Sequence, residues 1–91
     1  MTSQALKRNN MSLAKQLYLH ILEKGIPFTL WEAYSKEIIL SVRKNGDVHD
    51  SNRNLMPYKK ESLSDFLPRI EEVRTYSYSE YVDVYVKKES K

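Results

Sequence analysis

The chain has no cysteine. Disulfides, thiolate nucleophiles and cysteine-based zinc sites are therefore excluded. Glycine is scarce, with two residues, and proline adds only three, so the loops should be few or short. No apolar run approaches the roughly 18–20 residues of a membrane span. Lys7 and Arg8 are not followed by an uninterrupted apolar segment, which argues against a signal peptide. Together these absences point to a cytoplasmic protein with no membrane contact. Several catalytic signatures are missing as well. There is no glycine-rich phosphate loop, no Gly-x-Ser-x-Gly elbow and no His-Glu-x-x-His. Glu71 and Glu72 are adjacent. On the helix read below, they would point about 100° apart and could not act as a carboxylate pair. No cofactor is expected.

What remains is ordinary globular composition, 41% hydrophobic and 30% charged over 91 residues. That supports one domain with a single modest core. The polar lead-in 1–11 and the tail 87–91 are expected to fray. Net charge is +3. It is +3 over residues 1–26, +2 over 27–60 and −2 over 61–91. An excess this mild attracts polyanions only weakly.

Leu13, Ala14, Leu17, Tyr18, Ile21 and Leu22 recur at helical spacing between Ser12, an N-cap residue, and Gly25, a stop. A helix over about 12–24 follows. Residues 27–49 admit two readings. Thr29-x-x-Glu32 could be a capping box that opens a helix through Leu30, Tyr34, Ile38 and Val42. Alternation in Phe28, Leu30 and in Ile38, Leu40, Val42, ahead of Asn45-Gly46, instead predicts strands closed by a type I′ turn, and β-branched content favours this. A polar loop over 49–61, anchored by Leu55-Met56, comes next. Leu63, Phe66, Leu67, Ile70 and Val73 then predict a loose turn over 62–66 and a helix over about 67–74 with Pro68 in its first turn. Residues 75–86 alternate strictly and read as a final strand.

The order α-β-β-β-α-β implies an α+β fold, two helices on one face of a small, mainly antiparallel sheet. A winged helix is the alternative if 29–44 is helical. The expected core is Leu13, Leu17, Ile21, Phe28, Leu30, Ile38, Leu40, Val42, Phe66, Ile70, Val73, Tyr78, Val82, Val84 and Val86. Alternation then puts Trp31, Ile39, Tyr81 and Tyr85 on the uncovered face.

Clustered exposed aromatics mark contact surfaces, although cross-strand aromatic pairs also simply stabilise sheets. The leading expectation is therefore a small non-enzymatic binding or regulatory module. It would engage a protein partner, or a second copy, through Trp31, Ile39, Tyr81 and Tyr85. Small regulatory proteins, adaptors and inhibitors that belong to phage or mobile elements work this way. The alternative is nucleic-acid binding by a basic rim of Arg43, Lys44, Arg53, Lys59 and Lys60, gathered at one end of the sheet. Asp47, Asp50 and Glu61 dilute that rim. A third reading is a metal-independent ribonuclease toxin built on His49, Arg43, Arg53, Lys59 and a tyrosine. Asp47-Val48-His49-Asp50 lacks a second histidine nearby, and no metal site is expected there.

Overall fold

Ser12 opens the first helix by accepting a hydrogen bond from the Lys15 N–H at 3.3 Å, and Gly25 closes it in the left-handed region at φ 69°. The computed structural model describes residues 11–57 and 60–88. Helix α1 (Leu13–Lys24) is followed by strands β1 (Phe28–Glu32), β2 (Ile38–Val42), β3 (Val48–Asp50) and β4 (Leu55–Met56). A 3-10 helix (Lys60–Arg69) then leads into β5 (Ile70–Tyr76) and β6 (Ser79–Val86). The strands form one sheet in the order β4-β3-β2-β1-β6-β5. All pairs are antiparallel except β1 with β6, which is parallel. The result is a small α+β domain with two helical segments against a mixed, mostly antiparallel sheet. Most of the ends expected to fray, residues 1–10 and 89–91, lie outside the described residues.

The hairpin reading of 27–49 is correct, and the winged helix falls with its rival. Glu32 does not open a helix. Its carboxylate accepts the Tyr34 and Ser35 N–H groups and shapes the turn between β1 and β2. The Ser35 contacts hold the Glu32 carboxyl below its ordinary pKa. The Asn45-Gly46 turn differs from a type I′ turn. Gly46 N–H bonds Arg43 O and Arg43 N–H bonds Asp47 O. Gly46 is at φ 94°, and Asn45 is not among the residues of positive φ. This is a type I turn followed by a glycine bulge, which needs one left-handed residue rather than two.

Three further expectations are corrected. No α-helix spans 67–74: residues up to Arg69 form a 3-10 turn and Ile70 begins a strand. Pro68 lacks the N–H that an α-helix would use there and its ring clashes with the preceding turn, so an α-helix running through it is disfavoured. Past Pro68 the β-branched Ile70, Val73 and Thr75 suit an extended chain. The apparent strand 75–86 is the end of one strand and all of another, reversing at Ser77-Tyr78. The polar stretch after residue 49 contributes β4, and Asp50 Oδ1 accepts the Asn52 and Asn54 N–H groups to close the turn.

The core lies between the helical layer and one sheet face. It contains Ile21, Phe28, Leu30, Leu40, Val42, Ile70, Val82, Val84 and Val86 as expected. Phe66 and Val73 pack partly buried against it, and Leu17 is half-buried. Leu13, Ile38 and Tyr78 are exposed instead, at 70%, 38% and 83%. Leu13 sits in the first helical turn, Ile38 at a register shift, and Tyr78 in the β5–β6 turn. Tyr18, Val48 and Leu63 complete the core. Tyr18 packs edge-on against Phe28 at 5.6 Å, and its hydroxyl donates to Leu63 O at 2.6 Å. One side chain thereby bolts α1 to both the sheet and the 3-10 helix. Full burial of side chains such as Phe28 or Leu30 contributes about 1.5–3 kcal/mol each.

Candidate functional site

The parallel pairing of β1 with β6 aligns Phe28 with Val82, Leu30 with Val84 and Trp31 with Tyr85. The first two pairs are buried under the helices. Side chains alternate along a strand, so Thr29, Trp31, Tyr81, Asp83 and Tyr85 occupy the opposite face. Antiparallel β5 adds Glu72 opposite Tyr85 and Arg74 opposite Asp83.

On this face Trp31 and Tyr85 stack with centroids 6.4 Å apart and planes 22° from parallel. Tyr85 is flanked by two cations, the Lys36 ammonium 4.8 Å and the Arg74 guanidinium 5.2 Å from its ring centre. Asp83 lies between the strands and uses both carboxylate oxygens. Oδ1 accepts the Trp31 indole N–H at 3.0 Å, and Oδ2 accepts the Tyr76 hydroxyl at 2.7 Å. That bond is the main reason the Tyr76 phenol is pushed up to about 12. Arg74 Nε in turn donates to Glu72 Oε2 at 2.6 Å, which raises the guanidinium further. Tyr76 and Tyr78 are in tilted ring contact at 5.4 Å. The whole forms an aromatic pair held by a carboxylate and bordered by cations, half-buried at its centre and open to solvent.

Of the four residues expected to form a contact surface, the fold brings Trp31 and Tyr85 together. Tyr81 is half-buried on the same face, two residues before Asp83. Ile39 is not part of the cluster. It falls in the register shift between β1 and β2 and packs against the core. Sequence reasoning missed Asp83, Tyr76, Arg74 and Lys36. Asp83 was detectable, because it shares the alternation of Tyr81 and Tyr85. Arg74 was hidden by the false helix.

The basic residues do not gather at one end of the sheet. Arg43 and Lys44 belong to the β2–β3 turn and Arg53 to the β3–β4 turn. These two turns lie at opposite ends of β3 because consecutive hairpins reverse the chain. Lys44 is 3.4 Å from Glu80, both exposed. Such a pair contributes little. Lys59 lies outside the described residues, and Lys60 opens the 3-10 helix. His49 sits on the open face opposite Ser41, with its Nδ1 buried and without a hydrogen-bond partner. His20 is exposed on α1. Among the described residues no three His, Asp or Glu side chains converge as a metal site would require. None of their helices is long and apolar enough to cross a membrane.

On the helix side a cleft of about 220 Å³ opens between the end of α1 and the β2–β3 turn, lined by Ile21, Ile26, Phe28, Val42 and Leu63. It falls below the roughly 300–1,000 Å³ typical of small-molecule pockets. No protein-family model matches the sequence, and neither a curated protein nor a solved structure matches it.

Proposed function

We propose that the chain is a small non-enzymatic binding module and that the open sheet face around Trp31, Tyr81 and Tyr85 contacts a protein partner. The supporting observation is the stacked Trp31–Tyr85 pair with Asp83 bonded to the indole N–H. Trp and Tyr are the side chains that most often dominate protein interfaces. Here their orientations are set in advance, so little side-chain entropy remains to be lost on binding. Lys36 and Arg74 border the pair, so a partner with an apolar centre and acidic margins fits this face best. The basic rim draws less support as a nucleic-acid site, because its Arg43/Lys44 and Arg53 portions point from opposite ends of the sheet.

The test is a photo-crosslinking amino acid at position 81, compared with one at the exposed turn residue Tyr34. Position 81 should yield a discrete protein adduct in cells, and Tyr85→Ala should abolish it without changing the circular dichroism spectrum. Equal labelling from both positions, or none from position 81, would remove this reading.

A further inference from the structure

The sheet has two edges of very different character. β4 is two residues long and too short to template another strand. β5 runs for seven residues, Ile70–Tyr76, contains no proline, and among the described residues no strand pairs with its outer side. A long open edge carries unpaired N–H and C=O groups that pair readily with another extended chain.

The β5 sequence selects which chain. Its regular stretch is Glu72-Val73-Arg74, between two register shifts in the pairing with β6. Glu72 and Arg74 share the open face with Tyr85 and Asp83, and Val73 faces the core opposite Val84. Consider two copies pairing β5 against β5 antiparallel about a two-fold axis. Residues directly opposite must face the same side of the joined sheet, so the axis must pass through a residue rather than between two. An axis through Glu72 sets Glu72 against Glu72 of the second copy. An axis through Arg74 sets Arg74 against Arg74. Both are repulsive. Of the three axes within this regular stretch, the one through Val73 is complementary, because it sets Glu72 against Arg74 of the second copy, twice by symmetry, with Val73 against Val73 on the core side. Opposite charges facing each other across a strand pair stabilise it and like charges destabilise it. A self-complementary patch is what a two-fold dimer requires.

We propose that β5 is the seam of a homodimer, joined antiparallel about Val73 by reciprocal Glu72–Arg74 pairs. Among the described residues the joined sheet has no long free edge, and it sets two copies of the open face side by side. This inference does not depend on what the open face binds.

Sedimentation velocity of the full chain over a wide concentration range tests it, using Glu72→Arg, Arg74→Glu and the double variant. The wild-type chain should dimerise. Each single reversal places like charges opposite twice and should weaken association about tenfold. The double variant should recover it. The decisive sample is an equimolar mixture of the two single variants. Neither chain in it regains its own Glu72–Arg74 bridge, so recovered association can arise only across the seam. A monomeric wild type overturns the proposal, as does a dimer indifferent to single reversal or a mixture that fails to recover. Both positions are exposed, and thermal melting of each variant checks that the fold is intact. Dimerisation and photo-crosslinking from position 81 are separate readouts, so either proposal can fail while the other stands.

Discussion

The Trp31 indole N–H donates to Asp83 Oδ1 at 3.0 Å across the parallel pairing of β1 with β6. The two residues lie 52 positions apart in sequence. Their bond fixes the tilt of the indole against Tyr85 and so organises the surface for which a binding role is proposed.

Trp31→Phe keeps an aromatic ring but deletes the donor. It should destabilise the fold by about 1 kcal/mol in urea titrations, the net worth of one partly buried hydrogen bond. Asp83→Ala should cost more, because it removes the acceptor for both Trp31 and Tyr76. If both variants melt with the wild type, Asp83 does not organise the cluster.

Tyr76 should titrate near pH 12 rather than near its ordinary value of 10. Its phenol is a donor to a carboxylate, so the neutral form is favoured in the folded state. Folding stability from this group is therefore fully present below the unfolded pKa, and it is lost as pH rises from about 10 through about 12. The difference between ultraviolet titrations of the wild type and Tyr76→Phe isolates this phenol. A difference curve centred at 10 would mean that the bond to Asp83 does not persist in solution.

Tyr18 is fully buried and its hydroxyl reaches Leu63 O. Tyr18→Phe leaves that carbonyl without this donor in an apolar setting and should cost about 1–3 kcal/mol. Tyr18→Ala also opens a cavity and should cost about 3–5 kcal/mol. By contrast, Leu13→Ala at an exposed helix position should fall within about 0.5 kcal/mol of the wild type. Denaturant midpoints of the three variants rank them directly. A Leu13→Ala loss as large as that of Tyr18→Phe would contradict the core described above.

The outcome for each element follows from how local its determinants are. Helix α1 was readable because its cap, stop and apolar stripe lie within fourteen residues, Ser12 to Gly25. The faces of β6 were readable because Val82, Val84 and Val86 alternate with Tyr81, Asp83 and Tyr85 inside one regular strand. Residues 63–73 misled because apolar side chains at three- and four-residue intervals also arise when a 3-10 turn runs into a half-buried strand. Periodicity alone cannot separate these once Pro68 interrupts the run.

The α+β class, the α1 boundaries, the preference for strands over 27–49 and the side of the sheet on which Trp31, Tyr81 and Tyr85 fall were legible in the sequence. Those properties depend on capping, alternation and turn chemistry, which act over a few residues. The packing of the whole chain sets β1 parallel to β6 and, among the described residues, leaves β5 at an edge. It also decided that Asp83 receives both Trp31 and Tyr76, and that Ile39 packs inward while Arg43 and Arg53 part to opposite ends. These are matters of strand order and register between segments far apart in the chain. They are selected by how the whole core packs, not by any local preference.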